Sequence, residues 1–465
     1  MQLSRKQIQH LHLRAGFGIS PHRLHESEGL EARDLVNQLF VHSTIDQPLD
    51  VIQYPLDNTQ QGVMALPESM RKTIKQDLKE QVKDLNLAWI HRMSDTEAIL
   101  REKMTLFWHD HFACRVPNAW VQQRMNNLMR SHALGNFGEL VSAVSREPAM
   151  LQFLNNQQNR KKHPNENFAR ELMELFTLGL GNYTEEDIKE SARAFTGWGY
   201  DQRMEFQFRK GIHDYGIKTF MGQSGNFDGH DIIRIILQQK QCARFVTNKI
   251  YRFLVGENPG VKRLNTLSNQ FYTSDYDIGN LVKTILTADW FYSEEVVGNK
   301  IKDPTQLIVG FMRTFDVEFT DPKSLIFLQR ILGQVLFYPP NVAGWPEGKQ
   351  WIDSSTMVFR MKFPEYLFKQ AEIDTVLEAN PDGLPYKLSS RKLDVIVKPD
   401  SFIQFFTSTD RADVLKEMSD HLLQHTLSAE MMDFLLDQVD AGEDLTTQKM
   451  AFAMLLAKLP DYQLC

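Results

Sequence analysis

The sequence predicts a mainly α protein, a multi-helix globular array with one small β-hairpin near residues 203–221. Apolar residues recur at helical spacing through most of the chain, and capping and turn residues separate these runs into helices of ordinary length. Alternation of apolar and polar residues, typical of a strand, is confined to 204–208. The composition, 42% hydrophobic and 24% charged over 465 residues, is that of a globular protein with a large core.

In the N-terminal third, helical spacing alternates with proline-rich and glycine-containing breaks. Helices are predicted near 3–18, 20–40, 68–93 and 95–114, with one or two more within 117–150. Residues 43–67 carry three prolines and few periodic apolar positions, so we predict a surface loop there.

The stretch from 163 to 198 predicts two capped helices joined by a turn. Phe168, Leu172 and Phe176 follow the spacing of a buried helical face. Gly179 is expected to end the first helix in the left-handed conformation. Thr184, followed by Asp187, predicts a capping box at the start of the second helix.

The polar face of the first helix has two interpretations. Arg170 is spaced to lie between Glu166 and Glu174, and Asn167 with Glu171 forms a neighbouring i, i+4 pair. A solvated charged face is one interpretation. The other is a buried polar network, in which a carboxylate serves as general acid, general base or metal ligand.

The His109-Asp110-His111 segment lies in a predicted helix. Residues two apart on a helix point about 200° apart, so these two histidines do not chelate one ion. One interpretation places one histidine in the core and the other at a polar interface. The functional alternative uses one of the two histidines together with Asp110.

The predicted hairpin pairs the alternating segment 204–208 with a second strand at 217–220. Between them, Gly211 to Thr219 approaches the phosphate-binding loop of nucleotide triphosphatases. One extra residue separates Gly216 from Lys218, and no helix starts after Thr219. The nest of N–H groups would not form, so this function is excluded.

The C-terminal half is again helical. Helices are predicted near 229–239, 241–255, 277–291, 303–318 and 323–337, with Asp228 capping the first. The proline-rich loop 337–351 carries Trp345 and Trp351, which would either cover the core or offer flat faces to a sugar. Three regions are predicted: a main helical domain over 1–370, a linker-like segment over 371–400, and a C-terminal helical segment over 401–465 that packs on the main domain.

Charge and cysteine content exclude several classes of protein. The net charge is −7 without a strongly basic block, so a dedicated nucleic-acid surface is not expected. No apolar run is long enough to span a membrane. Three scattered cysteines do not predict a disulfide framework. The N-terminus lacks a signal-peptide pattern, so a cytoplasmic protein is expected if Met1 is the native start.

Five motifs, RAGFG, FWHDHFA, NENFARELMELFTLGLGNYTEEDIKESARAFTGW, HDYGIKTFMG and PPNVAGWPEGKQWI, occur in that order. In these motifs the chain resembles the bacterial family catalogued as "domain of unknown function 1800", from about residue 8 to the C-terminus. The resemblance implies no established activity, cofactor or catalytic residue. It does imply a sulfatase-like partner protein and, for many members, export, whereas this sequence shows no signal peptide.

The polar residues of these motifs predict a hydrolase-like enzyme with a His/carboxylate site, to which a divalent metal would contribute. The predicted catalytic residues are Glu171, Glu174, His109 and Arg170. The predicted substrate-binding residues, for a small molecule or glycan, are Lys218, Trp345, Trp351 and Asn167. The predicted metal ligands are His111, His213 and Asp214.

Two alternatives stay open. Within the enzymes, His-Asp pairs at 109–110, 213–214 and 230–231 would suit a helical metal-dependent phosphohydrolase, although such pairs also arise by chance among 14 histidines. Outside the enzymes, the chain would be a non-catalytic helical scaffold, or a protein that binds a glycan or a partner through the tryptophan loop. The convergence of His109, Glu171, Glu174 and His213 around one pocket is what would favour catalysis.

Overall fold

The computed structural model describes residues 1–53, 67–373 and 392–465. Within this part, the chain forms 21 helices and three small antiparallel sheets of two strands each, which confirms the predicted mainly α class. None of the helices in the described ranges carries an apolar stretch long enough to cross a bilayer.

The helices of the first half are α1 (Arg5–Arg14), α2 (Pro21–Ser27), α3 (Ala32–His42), α4 (Glu68–Asp95), α5 (Ile99–His111), α6 (Ala119–Ser131), α7 (Phe137–Val144), α8 (Pro148–Phe153), α9 (Asn167–Glu171) and α10 (Glu185–Ala194). Those of the second half are α11 (Gly229–Leu237), α12 (Lys240–Leu254), α13 (Val261–Thr273), α14 (Ile278–Leu286), α15 (Pro304–Phe315), α16 (Pro322–Leu332), α17 (Ser354–Phe368), α18 (Pro399–Ile403), α19 (Arg411–Leu422), α20 (Ala429–Asp437) and α21 (Leu445–Lys458). The sequence pattern had predicted no helix over Val261–Thr273, which forms α13.

Side-chain caps start many of these helices where the sequence predicts them. Thr184 and Asp187 form the predicted capping box of α10. Asp228 caps α11 through the N–H groups of His230 and Asp231. These bonds satisfy donors that have no partner inside the helix. Gly179, with φ of +83°, takes the predicted left-handed conformation.

The six strands pair differently from the prediction. Strand β1 (Trp198–Tyr200) pairs with β2 (Phe206–Phe208), β3 (Lys218–Phe220) with β4 (Gln223–Gly225), and β5 (Val317–Phe319) with β6 (Val395–Val397). The predicted pairing of 204–208 with 217–220 is therefore wrong, although both segments contain strands.

Local turns explain why each strand pairs with its nearer neighbour. The Asp201 side chain accepts hydrogen bonds from the N–H groups of Arg203 and Glu205, which closes the turn between β1 and β2. Met221 and Gly222 both have positive φ and close the turn between β3 and β4. Short loops of this kind cost less chain entropy than the longer connection that the prediction required.

The buried apolar residues form two clusters. The first collects residues from α1–α3 and α5–α14, and the second from α4 and α15–α21. Helix α5 contributes to both, with Met104 in the first cluster and Leu106 in the second. The polar end of α5 is therefore placed where the two clusters meet.

Two predicted loop regions lie partly outside the described residues. Of the predicted surface loop, residues 54–66 are outside, while Ile52 is buried and its main chain bonds Gln123 on α6. Of the predicted linker, residues 374–391 are outside, while its far end contributes β6.

Candidate functional site

His109 lies inside an aromatic cage and binds the proline-rich loop. Its Nε2 accepts a hydrogen bond from the main-chain N–H of Phe337 at 3.1 Å. The ring contacts those of Trp89, Phe337 and Trp345 at centroid distances of 5.0, 4.9 and 5.5 Å. Burial, aided by the charge of Arg130, lowers the pKa of His109 to about 3, so the ring is neutral.

His111 points to a different part of the chain. Its Nε2 lies 3.0 Å from the carbonyl oxygen of Phe176, and its Nδ1 is buried without a partner, so Nε2 carries the hydrogen and donates. Burial and the nearby Lys249 lower its pKa to about 3. Both histidines are thus neutral, His109 bound to the main chain of the proline-rich loop and His111 to that of Phe176.

Asp110, between them, is the half-buried member of the segment. Its Oδ1 accepts a hydrogen bond from the main-chain N–H of Trp345 at 2.8 Å. No described residue bonds its second oxygen. Burial and, less strongly, Glu347 raise the pKa of Asp110 to about 7, against the opposing effects of the Trp345 N–H and Lys249.

The surroundings of this carboxyl, here called the Asp110 site, come from α12 and the proline-rich loop. Gly344 has φ of +89°, and a Cβ there would lie 2.2 Å from Oδ1 of Asp110. Only glycine allows the loop to approach so closely. At the rim, Arg252 pairs with Glu347 at 2.8 Å. The site therefore joins two of the five motifs around one carboxyl.

The two tryptophans of the loop are not available as flat binding faces. Trp345 is 5% exposed and Trp351 is 6% exposed, and both belong to the buried interior. In this conformation the two rings are turned into the interior, and the predicted platform for a sugar is not exposed. The rings cover the core, which is the other function that the sequence allowed for this loop.

The predicted helix at 167–178 changes its winding halfway. Helix α9 continues into a π-helical turn over Leu172–Thr177, where the N–H of Leu178 bonds the carbonyl of Met173 at 2.8 Å. Such turns occur frequently at functional sites. The carbonyl of Phe176, in this turn, is the one that His111 binds.

The carboxylates of this turn form a second candidate set with Tyr183. Glu174 accepts a hydrogen bond from the Tyr183 hydroxyl, while no described residue bonds the half-buried Glu171 carboxylate. Burial and the neighbouring Glu174 raise the pKa of Glu171. In this set one carboxylate, that of Glu174, is hydrogen-bonded and the other, that of Glu171, is not. At the Asp110 site the same contrast holds between the two oxygens of a single carboxyl.

Arg170 and Asn167 do not take their predicted partners. Arg170 binds Glu185 through two bonds of 3.0 and 2.9 Å and Glu166 at 3.5 Å, rather than Glu174. The exposed Asn167 donates to the carbonyl of Leu154 at 3.3 Å, not to Glu171. Glu174 instead accepts from the Tyr183 hydroxyl.

His213 and Asp214 belong to a third polar cluster. His213 is buried, with Nδ1 2.7 Å from the carbonyl of Thr196. Asp214 accepts from Nε of Arg193 at 2.8 Å, and Arg193 also binds Glu190 at 2.7 Å. These bonds lower the pKa of Asp214 and tie the segment before β3 to α10.

Lys218 is completely buried and serves the same cluster. Its Nζ donates to the carbonyls of Asp214 and Gly216 at 2.6 and 3.1 Å, and burial lowers its pKa. The ammonium that was predicted to bind substrate thus faces main-chain oxygens inside the protein.

The predicted catalytic and metal-binding residues are therefore distributed over three places. Within the described residues, no hydrogen bond or ion pair joins a side chain of the Asp110 site, the Glu171–Glu174 set and the His213 cluster to one another. No group of three or more His, Cys, Asp or Glu side chains in the described ranges is arranged to hold a metal ion. The three predicted metal ligands are not brought together.

Among the residues of these sites that sequence reasoning missed are Lys249, Arg252, Glu347 and Tyr183. The first two lie on a helix with an ordinary amphipathic pattern and gave no signal. Glu347 and Tyr183 lie within quoted motifs, where adjacency to the predicted residues was the available signal.

Fold and site together define a mainly α protein whose motifs meet at a half-buried carboxyl. The chain belongs to the family described as protein of unknown function (DUF1800), whose sequence model matches residues 10–464. The resemblance inferred from the five motifs is thereby confirmed. No curated protein and no solved structure matches the chain.

Proposed function

We propose that this protein is a hydrolase-like enzyme and that the carboxyl of Asp110 transfers the proton in its reaction. The observation that carries the proposal is the state of this carboxyl. One oxygen is fixed by the Trp345 N–H, the other is unbonded by any described residue, and the pKa is about 7. A general acid or base works best when its pKa is near the working pH.

In the proposed reaction, protonated Asp110 gives its proton to the leaving group as the bond to that group breaks. Water adds its hydroxyl to the other fragment, and the remaining proton of that water returns to the Asp110 carboxylate. Lys249 lies close enough to lower the pKa of Asp110, so its charge stabilises the carboxylate formed midway. The Trp345 N–H holds the carboxyl in one orientation throughout.

Neutral His109 and His111 have positioning roles in this proposal. They fix the end of α5 against the loop and the π turn, so the Asp110 main chain is held from both sides. The proposal assigns no metal site, since the predicted ligands His111, His213 and Asp214 contact different partners.

The test is hydrolysis of chromogenic carboxylic esters, phosphate monoesters and glycosides by the purified protein and its Asp110→Asn variant. We expect turnover of one class by the wild type and a loss of about 100-fold or more in the variant, the usual contribution of general acid–base catalysis. Glu171→Gln and Glu174→Gln, each with an unchanged unfolding temperature, are the matched controls. A loss in Glu171→Gln with full activity in Asp110→Asn would place the reaction at the π turn instead.

A second candidate function is favoured by a specific observation. The side chains of His109, His111, His213 and Lys218 are each bonded to main-chain groups, as expected for a polar framework inside a non-catalytic scaffold. A scaffold would show no turnover in any of the three classes. Its Asp110→Asn variant would also bind the same partners as the wild type.

A further inference from the structure

Arg360, on α17, is a fully buried guanidinium without an ion pair. It has 0% exposure, and its Nη1 donates to the carbonyl of Lys302 at 3.0 Å and to Oε1 of Gln463 at 3.3 Å. Its Nε and Nη2 have no hydrogen-bond partner among the described residues. Burial lowers its pKa to about 10, against the weaker effects of Asp303 and Asp353.

Two neighbours repeat this excess of donors. Lys302 is buried, donates from Nζ to the carbonyl of Tyr462 at 2.6 Å, and lies 3.8 Å from the Tyr462 ring centroid. No carboxylate of the described residues lies within ion-pair distance of its Nζ. The Nε2 of buried Gln463, on the amide that Arg360 contacts, also lacks an acceptor.

Other arginines inside the described part of the chain leave fewer nitrogens without an acceptor. Arg130 binds the buried Glu102 carboxylate with two nitrogens, at 2.7 and 3.1 Å. Arg14 donates to four main-chain carbonyls and to Oδ1 of Asn299. Arg313 donates from Nη1 to three main-chain carbonyls. Of their shielded nitrogens, Arg14 and Arg313 each leave only Nε without a partner, whereas Arg360 leaves both Nε and Nη2. A buried charge with unsatisfied donors costs several kcal/mol, so a negative ligand at Arg360 would stabilise the folded state.

We propose that a small inorganic anion of the halide class binds at Arg360, between its Nε and Nη2 and the Nε2 of Gln463, beside Lys302. These groups are all donors. The two acceptors near them already accept hydrogen bonds from Nη1 of Arg360; they are Oε1 of Gln463 and the carbonyl of Lys302. A water molecule would have to place its own two hydrogens on acceptors, whereas a halide only accepts. Two adjacent cations also favour a negative charge.

The anion would connect three separate segments. Arg360 belongs to α17, Lys302 lies just before α15, and Gln463 ends the 3₁₀ turn Pro460–Gln463. The main-chain N–H of Lys302 already donates to the carbonyl of Gln463 at 2.8 Å. Anion binding would therefore stabilise the attachment of the C-terminal residues to the helical core, and the effect would appear in unfolding.

Thermal unfolding of the full chain tests this site, with sodium chloride or bromide replacing sodium gluconate at a fixed ionic strength of ~0.15 M, so that surface screening is constant. We expect the unfolding temperature to be higher in halide by about 1–3 °C. An equal unfolding temperature in halide and gluconate would overturn the proposal.

Arg360→Met removes the charge and the donors at similar length, and should abolish the halide shift. Arg313→Met is the control, since Nη1 of Arg313 already donates to three main-chain carbonyls and only its Nε lacks a partner, and it should keep the shift. Should Arg360→Met fail to fold, Gln463→Leu and bromide anomalous scattering from wild-type crystals take its place. A bromide peak within hydrogen-bond distance of Nη2 of Arg360 supports the site, and a water with no anomalous signal there refutes it.

Discussion

The main-chain N–H of Trp345 donates a hydrogen bond of 2.8 Å to Oδ1 of Asp110, a residue 235 positions earlier in the chain. This bond joins the FWHDHFA and PPNVAGWPEGKQWI motifs at a single carboxyl. It fixes the orientation of the carboxyl, whose second oxygen is bonded by no described residue.

Gly344→Ala should disrupt the bond, because the new Cβ would lie 2.2 Å from Oδ1 of Asp110. Overpacking of this kind, added to left-handed strain, costs about 2–4 kcal/mol of unfolding free energy. Gly333→Ala is the matched control, since Gly333 has the same φ of +89° with nothing near its Cβ position. Denaturant unfolding of both variants measures the difference. Equal losses of unfolding free energy would show that Gly344 is needed only for its left-handed backbone conformation, and not for the close approach to Asp110.

Asp110→Asn should change how stability depends on pH. The folded pKa is about 7 against an ordinary value of 3.8, so the folded state keeps a proton that the unfolded state has lost. The stability that this retained proton contributes is fully present below about pH 4 and is lost as the pH rises through 7. The stability of the wild type relative to the variant should fall by about 2 kcal/mol from pH 4 to pH 8, after allowance for partial exposure.

The variant keeps an amide oxygen to accept from Trp345, so packing should be preserved. Urea unfolding at several pH values gives the comparison directly. A stability difference that is flat with pH would mean that Asp110 titrates normally, and the proton-transfer role would lose its basis.

His111→Gln should remove a source of acid instability. The folded pKa of His111 is about 3 and the ordinary value is 6.5, so the unfolded state takes up a proton first as pH falls. The stabilising contribution is present above 6.5 and is lost as pH falls through about 3. Glutamine keeps a donor for the Phe176 carbonyl, so wild-type stability relative to the variant should fall by about 3 kcal/mol from pH 7 to pH 4.

His25→Gln is the control for this titration, because the His25 side chain is 79% exposed. Its stability should follow the wild type across the same pH range. If His111→Gln also follows the wild type, the imidazole is not held neutral by burial.

Arg193→Met should destabilise the protein more than Arg170→Met. Arg193 binds Asp214 and Glu190, whose side chains are 18% and 12% exposed, and its loss leaves two shielded carboxylates unpaired at a cost of about 2–3 kcal/mol. Arg170 binds Glu185, whose side chain is 69% exposed, and water replaces that bond. Denaturant unfolding compares the two, and equal losses would contradict the distinction.

The helices were predictable because their signals are local. The capping pairs Thr184–Asp187 and Asp228–Asp231 act within four residues, and apolar spacing alone marks most helices. The strand pairing was not predictable, since 204–208 and 217–220 have equally good partners on either side and the turn at Asp201 decides between them. The π turn at Leu172–Thr177 has no recognisable spacing. Glu174 pairs with Tyr183 and Arg170 with Glu185, which are contacts outside the helix that spacing does not reveal.

The candidate site was predicted only in part. The His-Asp-His segment pointed to α5, but its helical geometry sends each side chain to a different partner, and only the folded chain shows which residue remains accessible. Lys218 and the two tryptophans carry chemistry suited to binding, yet each is buried by contacts distant in sequence. Burial of this kind depends on tertiary packing, which residue type alone does not determine.

The most direct test of the proposed role of Asp110 is the titration of its own carboxyl. Carbon-13 spectra of protein labelled at the aspartate side-chain carboxyls, with Asp110→Asn used to assign the signal, give its midpoint. A midpoint near 7 is expected from the buried setting beside Glu347. A midpoint near the ordinary value of 3.8 would leave the carboxyl ionised at neutral pH and would contradict its role as the proton donor.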